Sequence, residues 1–394
     1  MNDQCAASGS GSRPRLHRGR LLFVAVLGLC GGATAAPYAP TSDAQVVAEL
    51  PAGARHSSGA TRDLTRSRLD IALPLARFYL ARARATGDLR FLGYAEAILA
   101  PWREREPVSV PVRVLYATVL QSRHAFMPAL AELDRALTVD PANAQAWLTR
   151  ATVLRVLGRY EEALTACEHL GAAADPAITR LCVESIRSLS GHLQSAYAAV
   201  TALPPQSLPP EAQAWRYSEL GEMAVRLGDD VTAERWLRAG LALAPDDFYL
   251  RAACADALLR QGRAAQTLEL LRGYESMEPL LLRIAIAHRL QGDGLGARAG
   301  ELLGNAFAVE QQRGDAVHRR EQARFLLDVR QLPGQALTAA QENWQVQREP
   351  DDVLILLRAA RAAGQAQAGE PARRFLRQQG TEDARVELLA RAAP

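Results

Sequence analysis

Apolar side chains fall three and four positions apart through most of this chain, the spacing that lines one face of a helix. Trp147, Ala151 and Leu154 lie on one side of Gly158, and Tyr160, Ala163, Cys167 and Leu170 on the other. The pattern predicts two helices joined by a turn at Gly158. Small residues at Ala151 and Ala163 let these helices cross closely, and Tyr160 fills the space beside the turn. The same residue types return every 34 positions: Ala117 as Ala151, Phe126 as Tyr160, Ala129 as Ala163, then Gly221 as Ala255, Gly228 as Gly262 and Pro245 as Pro279. A fixed period of this length means stacked two-helix units, none of which buries its apolar face alone. Pro141, Pro176, Pro245 and Pro279 mark where new units begin, because proline suits the first turn of a helix and resists its interior.

On these positions the chain resembles the tetratricopeptide repeat (TPR) family. The resemblance covers most of the chain from about Ser67 onward; units holding Ala117, Ala151, Gly221 and Ala255 match well, and those around Gly191, Ala285, Gly334 and Gly364 match loosely. It implies an all-α, right-handed superhelical solenoid of stacked antiparallel helix pairs over residues 67–394. About nine units are expected, with a capping helix over Thr381 to Ala393 to cover the apolar end. The phase slips at Leu203 to Pro210, an insertion with four prolines that is expected to kink the superhelix or protrude from it.

The resemblance also implies a concave groove lined by positions 2, 5, 9 and 12 of each unit. These are Gln145, Leu148, Thr152 and Arg155 in the third unit and Trp215, Ser218, Glu222 and Val225 in the fifth. The sixth supplies Tyr249, Ala252, Asp256 and Leu259, and the second Val114, Thr118 and Gln121. Aromatic anchors mixed with hydrogen-bonding groups suit an extended peptide or a partner helix. Trp215 and Tyr249 equally suit packing against the preceding helix. The set lacks the lysine and asparagine clamp by which some family members grip a C-terminal carboxylate, so chaperone-tail binding is not expected.

At the N-terminus, Arg13, Arg15, Arg18 and Arg20 precede an apolar run from Leu21 to Ala36 that ends in Ala33, Thr34, Ala35 and Ala36. Basic region, short apolar core and an A-x-A site predict a secretory signal peptide over residues 1–36, cut near Ala35 or Ala36. The run falls short of the roughly 20 residues that span a bilayer comfortably. Residues 37–66 mix Pro, Ser, Ala, Gly and Thr without periodicity and read as a flexible leader. The expected product is periplasmic and does not span a membrane.

Export changes the meaning of charge. The chain carries 46 basic and 43 acidic residues, a net of +3, and the four leader arginines against Asp3 supply all of it. The processed chain is near neutral, so the pI of 8.7 is no argument for nucleic-acid binding, which needs a basic stripe on the folded domain. Every basic side chain is arginine; there is no lysine. The densest stretch, Asp315 to Arg324, places His318, Arg319, Arg320, Glu321 and Arg324 on about two helical turns. It reads as a solvated face or a docking patch for an acidic partner.

Cys167, Cys182 and Cys254 follow the leader. Cys167 and Cys182 stand about equally far from a turn near Ala174, so antiparallel helices set them level; a disulfide and two buried thiols are both compatible with that position. Cys254 is expected to be a buried thiol. A metal site from Cys167, His169, Cys182 and His192 is disfavoured, because Cys167 and His169 point about 200° apart on a helix. No metalloprotease helix, phosphate-binding loop or nucleophile elbow occurs after the leader. The expected function is a non-catalytic exported scaffold of a bacterial cell envelope, without cofactor. The alternatives are a glycan- or small-ligand-binding protein and an enzyme with a site between repeats built from Arg155, Glu222 and Asp256.

Overall fold

The computed structural model describes residues 63–313 and 318–391, all within the compact unit His56–Pro394. The expected signal peptide and all but the end of the leader lie outside the described residues. Consecutive helices pack in antiparallel pairs: α1 (Leu69–Thr86) with α2 (Arg90–Arg103), α3 (Val110–Ser122) with α4 (Phe126–Val139), and α5 (Ala144–Val156) with α6 (Tyr160–Leu170). Next come α7 (Pro176–Arg187) with α8 (Leu193–Thr201), α9 (Pro210–Arg226) with α10 (Asp230–Leu243), and α11 (Phe248–Arg260) with α12 (Ala264–Leu270). The last pairs are α13 (Glu278–Gln291) with α14 (Leu295–Arg313), α15 (Arg319–Asp328) with α16 (Pro333–Val346), and α17 (Pro350–Ala362) with α18 (Glu370–Gln379). A final helix, α19 (Ala384–Arg391), follows. Among the described residues no helix is long and apolar enough to cross a membrane.

Local chemistry explains the phase. Gly158, Gly228 and Gly262 hold φ of 73°, 83° and 72° at equivalent turns, where a side chain would strain the left-handed backbone. Asn143 and Asp247 begin α5 and α11 as N-caps, accepting from the Ala146 and Leu250 amides at 3.0 Å. Gly221 marks a close helix approach: a Cβ there meets Leu237 at 2.6 Å. In the insertion Leu203 to Pro210, Pro204, Pro209 and Pro210 are exposed. A short 3-10 turn, Pro205–Ser207, lets Leu203 and Leu208 bury themselves among Leu181, Leu193 and Val200. Buried arginines of α9 then close the nearby helix ends. Arg216 donates to the Val200 and Thr201 carbonyls at 3.0 Å, and Arg226 donates to the Ser188 carbonyl and to its hydroxyl.

The stack also closes on itself. One continuous core joins residues of α3 to α7 with residues of α15 to α18. Tyr160 meets Phe375 edge-on with ring centroids 5.8 Å apart, and the Arg348 amide donates to the Val156 carbonyl at 2.8 Å. The Thr381 hydroxyl donates to the Leu189 carbonyl at 2.6 Å. At the other end α1 packs on α11. The final helix, α19, lies against α9 and α17. Cys167 of α6 and Cys182 of α7 stand level, with Cα atoms 5.7 Å apart, and are bonded as a disulfide. Cys254 is a buried free thiol whose pKa burial pushes up to about 11.

Candidate functional site

Because first helices of the units face inward and the stack closes, the concave side becomes a cavity. It has a volume of about 650 Å³ and takes lining residues from α1, α3, α11, α13, α15, α17 and the start of α19. A smaller chamber of about 70 Å³ adjoins it, sharing the wall of Tyr249, Asp256, Arg320 and Asp351.

Arg155, Glu222 and Asp256 all reach the smaller chamber, and Tyr249 and Asp256 border both. Arg155 donates to Glu219 Oε1 at 2.6 Å and to Glu222 Oε2 at 2.9 Å, joining α5 to α9. Trp215 Nε1 donates to Glu219 at 2.9 Å, and the Tyr249 hydroxyl donates to Glu222. Burial works against the Arg155 charge, but Glu219 and Glu222 more than offset it and hold the guanidinium well above its ordinary pKa. Burial, reinforced by Glu219, raises Glu222 despite Arg155, and burial with Glu222 raises Tyr249. Trp215 packs between two core clusters and Ser218 is buried, while Tyr249 keeps 47% of its surface exposed. Gln145, Leu148 and Thr152 do not join them: Gln145 and Thr152 bond within α5 and Leu148 packs on the core.

A second network crosses the larger cavity. Asp256 accepts from Arg283 at 2.8 Å and from Arg324 at 2.7 Å. Burial alone raises a carboxyl; here the two guanidiniums overcome it and keep Asp256 well below the usual carboxylate range. Arg320 pairs with Glu349 at 2.7 Å, Arg358 with Asp328 at 2.5 Å, and Arg385 with Asp351 at 2.6 Å. The arginine-dense stretch is therefore no solvated face: His318, Arg320, Glu321 and Arg324 all line the interior. Arg77 and Arg84, which the groove positions do not include, carry a sequence signal of their own, since with Leu80 and Ala81 they follow the i, i+3, i+4, i+7 spacing of one α1 face. The partners of Asp256 carry none, being 27 and 68 residues away.

His124 sits in the same wall, facing Arg320, Glu321, His318 and Glu349. Burial, with Arg320 next, pushes its imidazole from 6.5 down to about 4, despite the two glutamates. A depressed folded pKa contributes stability above the unfolded value, and that contribution is lost as pH falls through about 4. The stability difference between wild type and His124→Gln is expected to change by about 3 kcal/mol between pH 7 and pH 4. Urea titrations at both pH values test this; parallel losses in the two proteins refute it.

Among the described residues one cluster has metal-compatible spacing: Glu278, Glu310 and His318, each with a ligand atom within 4.8 Å of the others. A His318 Nδ1 to Glu310 hydrogen bond of 2.6 Å and a Glu278 carboxyl raised by burial and by Glu310 account for the cluster without an ion. Cys167 and Cys182 are consumed by their disulfide, and His169 stacks on Trp147 with centroids 4.5 Å apart.

No protein-family model matches the chain, and no curated protein matches it. Solved structures do. A thermophilic TPR protein of Thermus thermophilus, TTC0263, is 21% identical over 48% of this chain and 97% of its own, with a TM-score of 0.38. A Rap protein in complex with competence and sporulation factor is 12% identical over 86% of this chain and 94% of its own, with a TM-score of 0.47. PilW, a widely conserved type IV pilus biogenesis factor, is 16% identical over 71% of this chain and 98% of its own, with a TM-score of 0.30. The likeness is one of architecture, and by its own consecutive helix pairs and 34-residue period the chain is an all-α repeat protein of TPR-like build.

Proposed function

We propose that this chain is a non-catalytic binding protein, exported to the periplasm of a bacterial cell, that receives a segment of a partner protein in its interior cavity. The cavity is the observation that carries the reading. Its volume of about 650 Å³ lies in the range of ligand-holding pockets, and its wall mixes apolar Leu80 and Leu354 with the neutral groups Thr118, Gln121 and Ser122. Hydroxyls and amides of this kind both donate and accept, as a peptide backbone requires. The groups an enzyme would need are committed: Asp256 to two arginines, Glu222 to Arg155 and Tyr249. The Cys167–Cys182 disulfide supports export, since such bonds persist in oxidising compartments.

Ala253 borders both chambers without being fully buried, so Ala253→Trp fills the space while leaving the surrounding pairs in place. Crosslinked affinity purification of the full chain from its native envelope is expected to retain a specific protein that the variant loses at an unchanged unfolding midpoint. Retention of the same proteins by both forms refutes interior binding.

A further inference from the structure

Resting on that reading, we propose that the segment the cavity receives is acidic, and that Arg77 and Arg84 are the residues that first hold it. Eight arginines line the cavity against four carboxylates, Asp256, Glu321, Glu349 and Asp351. The carboxylates are already engaged. Asp256 serves Arg283 and Arg324, Glu349 serves Arg320, and Asp351 serves Arg385. Glu321 lies in the field of Arg320 and Arg283. Arg260 and Arg358 are matched by Asp230 and Asp328 behind the wall, so the positive charge left over on the lining is that of Arg77 and Arg84.

That surplus is concentrated at one place. Arg77 and Arg84 have no ion-pair or hydrogen-bond partner among the described residues, and both are exposed on the cavity-facing side of α1. Seven residues apart, they lie almost directly above one another about 10 Å along the helix. Two such side chains present forked donors that match carboxylates bidentately, at a spacing that two acidic residues of an extended segment can reach. Past them, Leu80 offers contact to apolar side chains, and Gln121 offers hydrogen bonds to the main chain. A carboxylate entering here gains partners without displacing an existing ion pair. A neutral segment gains no such partners, and a cationic one meets repulsion.

The test is a random peptide pool passed over the immobilised full chain, with bound peptides sequenced and the best of them titrated. Retained peptides are expected to be enriched in Asp and Glu. Replacing those residues by Asn and Gln is expected to weaken binding at least tenfold, and raising the salt concentration weakens it further. The Arg77→Gln, Arg84→Gln double variant is expected to bind at least tenfold more weakly with an unchanged unfolding midpoint, since neither side chain is buried or paired. Retained peptides with no acidic excess, or equal binding by the double variant, overturn the acidic assignment and leave interior peptide binding standing. If no peptide is retained but inorganic phosphate raises the unfolding midpoint, the cavity takes small anions and the acidic-segment proposal is overturned. Retention of nothing, with no shift by phosphate, overturns both readings.

Discussion

Arg155→Ala is expected to lower the free energy of unfolding by about 3–5 kcal/mol, far more than removal of a surface charge. Arg155 is the one cation between Glu219 and Glu222, and the Glu219 side chain is only 3% exposed. Removing it leaves two carboxylates from one helix facing each other, Glu219 away from water and Glu222 on the chamber wall, with Trp215 and Tyr249 as donors to them. The loss should carry a pH signature. A carboxyl without its guanidinium takes up a proton more readily, so the deficit narrows as pH falls toward 5. Adding Glu219→Gln to the variant should recover part of the loss, because it removes one of the stranded charges. Urea unfolding followed by circular dichroism measures all of this. A deficit under about 1 kcal/mol for Arg155→Ala places the triad among pairs that contribute nothing net.

Opening the Cys167–Cys182 disulfide is the second large effect expected. The two cysteines are 15 residues apart, and closing a loop of that size removes about 3 kcal/mol of chain entropy from the unfolded state. Cys182→Ser should lower stability by roughly that amount, and a reductant should lower wild type to the level of the variant while leaving the variant unchanged. Wild type that ignores the reductant at its unfolding midpoint speaks against the bond. The cost is confined to α6 and α7, so it should add to that of Arg155→Ala as far as the two regions share no partners.

The helix pairs were legible because their causes are local. Ala151, Ala163 and Tyr160 are repeated by the close crossing they permit, and Gly158 by a backbone angle that other residues resist. Turn chemistry and a 34-residue period therefore carried the fold. The inward face was legible too, since Arg155, Glu222, Tyr249 and Asp256 all fall on groove-lining positions of their units, Glu222 and Asp256 on the same one. What those residues touch was not. Glu219 and Glu222 meet Arg155 across 64 and 67 residues, and nothing in a single unit encodes so distant a partner. The concave groove expected from the repeat became a half-enclosed cavity as Phe375 and Thr381 dock on the Gly158 turn and on Leu189. Phe375 is an ordinary apolar position in its own helix. Its role arises from superhelix curvature, which accumulates small rotations from every unit.

Stacks whose units touch only their neighbours lose structure from the ends, one unit at a time. Here the last turns of the chain are tied to its middle by bonds spanning 188 and 192 residues, from Tyr160 to Arg348 and from Leu189 to Thr381. Fraying is thereby coupled to the centre, and a cut before α18 uncovers apolar surface at Gly158, far away in sequence. Such a chain melts as a single cooperative body. Its assembly also waits on the slowest kind of event, the meeting of segments separated by half its length.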